Sequence, residues 1–285
     1  MTPSAVSNKV YALGTIGYDF GSEARRDTFK QKMSAVDSDG TITPANPYDA
    51  RQMVNYLEQN PTAAKSLIWT LNLDSKPIYV VEPKRAFASD IYETLIQMLA
   101  GQAQGENSED YIERVSIPGR LQNKTVELFS GQVLPVVELE NSRGMYGWQV
   151  NDLVRSALEM VRDRIPAATD EAMQRSLNSF LQRIYFELGN LGQLARERAL
   201  NFAATNAFQA ASTFAEAIAL GMQLDKIKVE KSPFCRLHSD CWDVILTFSD
   251  PENSHRAKKV FRFTIDVKDT IPVTLGDVRS WSIND

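Results

Sequence analysis

The sequence predicts an α+β fold, and three observations predict it. Two stretches, 113–140 and 226–267, alternate apolar and polar residues with the period of two that a half-buried strand requires. Between them, residues 150–222 place apolar side chains three and four apart, the spacing of one helix face. The order runs mixed, β, α, then β, without the regular strand–helix alternation that builds a parallel sheet. A single domain is expected over 1–285: a mixed α/β part at 9–147, a helical bundle at 148–222 and a β-meander at 224–281. The two β regions are expected to join.

Taken in order, Val10–Ile16 suits a strand, which Gly14 and Gly17 are expected to break into a turn. Ser22 can cap a helix reaching Met33, with Glu23 in its first turn. Asp37–Pro47 is turn-rich and reads as a loop. Pro47 and Asp49 open a helix through Asn60 that faces Met53, Val54 and Leu57 inward. Leu67–Leu73 and Pro77–Val81 read as strands, and Ser89 as the cap of a helix over Asp90–Leu99. Between Glu113 and Glu140 three strands are expected, with turns at Asn123-Lys124 and Ser130-Gly131; Pro118 and Pro135 each demand an edge or a bulge.

Helices follow over 150–165 and 169–188, and then comes the stretch Gly189–Met222, with ten alanines and no proline. Alanine is the best helix former. Leu200, Ala204, Ala207, Ala211, Phe214 and Ile218 line one face, and a helix of this length would run roughly 48 Å. It is expected to be the spine of a three-helix bundle. Strands at 226–234, 242–248 and 259–267 close the chain as an antiparallel meander, with Asp250-Pro251-Glu252-Asn253 as a turn.

Composition narrows the function classes. The chain is 43% hydrophobic and 24% charged, with a net charge of −5 and a pI near 5.3, which disfavours a nucleic-acid partner. No apolar run is long enough to span a bilayer, so no membrane partner is expected. Two cysteines make no disulfide scaffold and suit a reducing cytoplasm.

The local candidate for chemistry is Phe234–Trp242, which holds both cysteines and one of the two histidines. Cys235, His238 and Cys241 offer three ligands for zinc, with His255 or Asp240 as a fourth. The spacing departs from the paired Cys-x2-Cys or His-x3-His units of common zinc loops. Against zinc stand two small cysteines buried at strand ends beside a surface histidine, and a reversible disulfide across the loop. No other cofactor is implied, and no catalytic residue is assigned. A Ser-His-Asp hydrolase would need His238 or His255, and no Gly-x-Ser-x-Gly elbow accompanies either. Gly14, Gly17 and Gly21 match neither phosphate-loop fingerprint and read as backbone turns. Arg25, Arg26 and Asp27 form either an anion site or exposed ion pairs, the latter by default. Trp148, Tyr185, Phe202 and Phe208 sit at helical spacing and read as core.

Two stretches carry a resemblance: Val10–Gln31 (VYALGTIGYDFGSEARRDTFKQ) and Ser239–Trp281 (SDCWDVILTFSDPENSHRAKKVFRFTIDVKDTIPVTLGDVRSW). Together they resemble the C-terminal domain of the PatA and PatG proteins of cyanobactin maturation, PatG more closely. In that family the domain follows a subtilisin-like protease or macrocyclase and is itself of unknown function. The resemblance implies a pathway, ribosomal cyclic-peptide biosynthesis such as that of patellamides, and transfers no protease triad. It implies no reaction; the expected role within that pathway is a non-catalytic accessory or binding domain whose partners are the precursor peptide, another pathway enzyme or a second copy in a homodimer. The alternatives are a peptide-modifying enzyme of the same pathway and a purely structural domain.

Overall fold

The computed structural model describes residues 8–38, 41–152, 190–209, 221–253 and 255–284, together with 155, 159, 175, 183 and 217. Mixed helix and strand content in two main sheets makes the fold α+β. The chain divides into two compact units: Gly14–Val115 with Gly119–Gly147, and residues 1–13 with Ser116–Pro118 and 148–285.

β1 (Lys9–Asp19) enters the first unit at Gly14, and its residues 15–19 pair antiparallel with β4 (Ile68–Leu73), which pairs with β5 (Lys76–Pro83). Gly14 and Gly17 do not break β1. A Cβ at 14 would press on the Asn72 carbonyl oxygen and stand 3.0 Å from Leu71 Cδ1, and one at 17 would lie 2.9 Å from Thr70 Oγ1. These glycines let β4 approach, which a strand interior asks of glycine as often as a turn does. β5 runs parallel to β7 (Val133–Leu139), and β7 pairs antiparallel with β6 (Arg114–Glu127). The sheet order is β1-β4-β5-β7-β6-β8, with β8 at Tyr146–Trp148, and β1 also pairs β6, so the strand path closes on itself. The turn expected at Asn123-Lys124 is absent. One strand continues through it, and the register slips between Leu121 and Thr125 instead. Pro135 lies opposite Thr125 at the edge of that slip, and the β5 ladder begins only at Val136, so it occupies the irregular position that its missing N–H demands.

Three helices attend this sheet. α1 (Glu23–Lys32) is capped by Ser22, and α2 (Ala50–Gln59) by Asp49, whose carboxylate accepts from the Arg51 and Gln52 amides. α2 buries Met53, Val54 and Leu57. α3 (Ala88–Gln102) starts before Ser89, which therefore lies inside the helix and caps nothing, and its Gln102 side chain bonds both the N–H and the carbonyl of Ile16. The expected loop 37–47 contains a small hairpin, β2 (Val36–Ser38) with β3 (Thr41–Thr43).

In the second unit, α4 (Ala195–Gln209) packs against a separate sheet of β9 (Gln223–Lys231), β10 (Cys241–Ser249), β11 (Lys258–Asp266), β12 (Val273–Thr274) and β13 (Arg279–Ile283). The two β regions form separate sheets and do not join as expected. The helix begins at Ala195, not Gly189: residues 190–194 are non-helical, with Gly192 at φ +68°. Its continuation past Gln209 lies outside the described residues except for Ala217, which is helical. The expected helices over 150–165 and 169–188, Tyr185 and the three-helix bundle also fall largely outside them. Phe208 lies in α4, but its side chain is outside the description. No described helix is long and apolar enough to cross a membrane.

The core of this unit is tied by buried polar groups. Trp148 Nε1 donates to Ser116 Oγ at 2.8 Å, Ser116 Oγ meets Thr205 Oγ1 at 2.7 Å, and Asn201 Nδ2 donates to the Tyr11 carbonyl at 2.7 Å. Asn201 also bonds Asn190, whose Oδ1 accepts from the Gly192 amide. Tyr11 stacks edge-on against Phe202. Trp148 is therefore core, as expected, held by a partner for its N–H. Burial pushes the Tyr11 phenol up to about 12 from its ordinary value near 10, partly offset by hydrogen bonds to Thr205 and Ser116. The unfolded phenol ionises first on raising pH, so this contribution is full below pH 10 and fades as pH climbs toward 12. Between those values stability should fall by up to ~1.4 kcal/mol per pH unit, a slope that Tyr11→Phe removes in urea titrations.

Candidate docking face

β9, β10 and β11 pair antiparallel in a regular register, and residues directly opposite share a face. Val244 lies opposite Phe263 and Leu246 opposite Phe261; with Phe248 and Ile265 all are buried. The other face carries Asp243 opposite Thr264, and Ile245 opposite Arg262, which in turn faces Arg279 on β13.

Arg262 organises this face. Its guanidinium lies 5.9 Å from the Phe234 ring and 6.0 Å from the Trp281 ring, within the range of cation–π attraction on two sides. It stands 4.0 Å from Asp243 Oδ2, whose Oδ1 accepts from Thr264 Oγ1 at 2.7 Å. Asp243 is buried, so these partners replace its water shell. Among the described residues β13 pairs β11 along one side only, and all five of its residues are exposed.

The loop between β9 and β10 holds the residues singled out for metal. Cys235 and Cys241 are bonded to each other, with their Cα atoms 5.5 Å apart, so the disulfide alternative is the one seen and neither sulfur is a thiolate ligand here. His238 occupies the exposed tip of that loop at φ +68°. His255 belongs to the turn after β10, a strand length of roughly 26 Å from the loop that precedes it, too far to complete a shared site. No group of three or more His, Cys, Asp or Glu among the described residues is arranged to hold a metal ion. Asp240 is engaged at the loop base, where it pairs with Lys231 and accepts from Trp242 Nε1 at 2.9 Å; Lys231 lies 4.9 Å from the Trp242 ring.

Bridge and base together hold a short loop whose apolar side chains point to water. Phe234 is 66% and Leu237 86% exposed, and Trp281 and Ile283 stand exposed on β13. Large apolar groups fixed at such exposure beside a charged strand edge suit contact with another chain. The composition of 232–242 flagged the loop for its cysteines. The exposure of Phe234 and Leu237 carried no sequence signal, since an isolated apolar residue reads as core.

Arg26 resolves as an ion pair with Glu23 and Asp27, while Arg25 turns to the Phe20 carbonyl.

The chain resembles known proteins throughout. Residues 9–123 match a family model described as PatG Domain, and residues 167–281 one described as PatG C-terminal. A solved structure described as "PatG Domain of Unknown Function" is 57% identical, with a TM-score of 0.86, and the match covers 97% of this chain and 100% of that one. A search of curated proteins finds no match. With that identity sustained over nearly its whole length, the chain belongs to the PatG domain family of unknown function.

Proposed function

We propose that this domain is a non-catalytic accessory module of ribosomal cyclic-peptide biosynthesis, of the patellamide type, that binds the precursor peptide or another enzyme of that pathway. The observation that carries the reading is the docking face. Phe234, Leu237 and Trp281 are exposed around Arg262, on a loop closed by a disulfide and a sheet edge that has one strand partner. Such a face offers main-chain hydrogen bonds along β13 and aromatic anchors beside it, the two ingredients of strand addition. Two of its carboxylates are committed to holding shape: Asp243 to Thr264 and Arg262, Asp240 to Lys231 and Trp242.

Calorimetric titration of the domain with full precursor peptide, excised leader and mature macrocycle tests this. At least one should bind, and Trp281→Ala with Leu237→Asp should weaken it tenfold or more at unchanged Tm, the loss typical of removing an interface anchor. Full affinity in the double variant rules out this face. Silence toward all three ligands rules out the peptide reading, and a concentration-dependent sedimentation coefficient would then assign the face to a second copy.

A further inference from the structure

The first unit carries a groove of about 900 Å³ between α1 and the segment that follows α2. Its α1 wall is set by helical spacing: Arg25, Phe29 and Lys32 fall at i, i+4 and i+7, so they share one side, with the Cα atoms of the two cationic residues roughly 10 Å apart along the axis. Phe29 is buried between the Phe20 and Tyr56 rings, at 5.8 Å from each, and holds the half-buried Tyr56 as the aromatic side chain that lines the groove. Thr62 and Ser66 bring hydroxyls from the opposite wall.

The charge of this groove runs against that of the protein. The chain as a whole carries −5, yet among the described residues no Asp or Glu lines the groove. The carboxylates of α1, Glu23 and Asp27, are drawn instead to Arg26. Arg25 spends one N–H on the Phe20 carbonyl at 2.9 Å and forms no ion pair with a described residue, and neither does Lys32. Two cations without an ion-pair partner among the described residues, beside Thr62, Ser66 and the half-buried Tyr56, match a ligand with an anionic head and a flat apolar body.

We infer that the groove between α1 and the segment after α2 is a binding site for a small aromatic or apolar anion, a carboxylate or a phosphate monoester, held by Arg25 and Lys32. This site uses none of the residues of the docking face, so either assignment can fail while the other stands.

The test is a titration of the ¹⁵N-labelled full chain with 3-phenylpropanoate, phenyl phosphate and the neutral 3-phenylpropanamide. At least one of the two anions should shift the amides of Thr28, Lys32, Thr62 and Ser66, and the neutral amide should not. The tighter of the two names the head group. Arg25→Gln with Lys32→Gln should weaken the anion at least tenfold, whereas Lys30→Gln should not. Because Arg25 touches the Phe20 backbone, Lys32→Gln alone, at an exposed site, gives a second reading and should weaken binding at least threefold. Equal binding of the neutral amide, undiminished binding by both Lys32 variants, or shifts confined to other residues would overturn the assignment.

Discussion

Gly192→Ala is expected to lower the unfolding free energy by about 3–4 kcal/mol, read as a shift of the urea midpoint at constant slope. Two costs combine at this position. The backbone holds φ +68°, where a Cβ costs roughly 1–2 kcal/mol. The new methyl would also sit 2.6 Å from the Tyr11 carbonyl carbon and 2.8 Å from the Ala12 Cα, with the Tyr11 oxygen closer still. Neither can yield, because the Tyr11 amide donates to the Gly192 carbonyl at 2.9 Å and the Tyr11 carbonyl is held by Asn201. Gly131 separates the two costs: it has φ +83° but nothing within 4 Å of a built Cβ. Gly131→Ala should therefore lose only the conformational part, about 1 kcal/mol. Equal losses at both sites would show that the contact with β1 contributes nothing.

Asn201→Leu should cost about 3 kcal/mol while keeping the same branched side-chain skeleton. Asn201 is 1% exposed on α4 and is the hub between the Tyr11 carbonyl and Asn190. Leucine keeps the branched shape, somewhat enlarged, but strands that carbonyl and the Asn190 amide away from water, at roughly 1–3 kcal/mol each. Hydrogen exchange of the Gly192 amide, whose acceptor is Asn190 Oδ1, should accelerate with the loss of stability. An alanine at the exposed Arg196 of the same helix should change little. A neutral Asn201→Leu would mean that the polar tie is replaceable by packing.

Legibility in the sequence followed the strength of periodicity. β10 and β11 alternate cleanly because one face is buried and the other is not, and their bounds fell within a residue or two of expectation. α2 was equally plain, with Asp49 as its cap and Met53, Val54 and Leu57 as its stripe. Gly14 and Gly17 misled, because a glycine that admits a neighbouring backbone looks the same in one dimension as a glycine that turns the chain. Asn123-Lys124 misled in the same way: a turn-favouring pair lies in an irregular strand, where the partner's register slips instead. β12 and β13 were invisible, being short and exposed, so that no apolar pattern marks them. At the loop after β9, the Cys-x2-His-x2-Cys spacing was legible but its state was not, since metal ligation and a disulfide ask for the same two thiols at similar reach. At Arg25 the sequence left an anion site and exposed ion pairs both open, with ion pairs the default, and Lys32 drew no reading, because the opposite wall of the groove comes from residues 56–66, distant in the chain.

The boundary between the compact units cuts through strands instead of linkers: β1 changes membership after Leu13, and β6 lends only Ser116–Pro118 to the second unit. The two matched family regions, 9–123 and 167–281, therefore do not mark independently expressible halves. A gene fragment beginning at Trp148 would encode a polypeptide lacking Tyr11, Ser116 and the backbone against which Gly192 rests. Such a truncation should be insoluble or molten, and complementation by the missing N-terminal piece would have to restore two separate strand insertions at once.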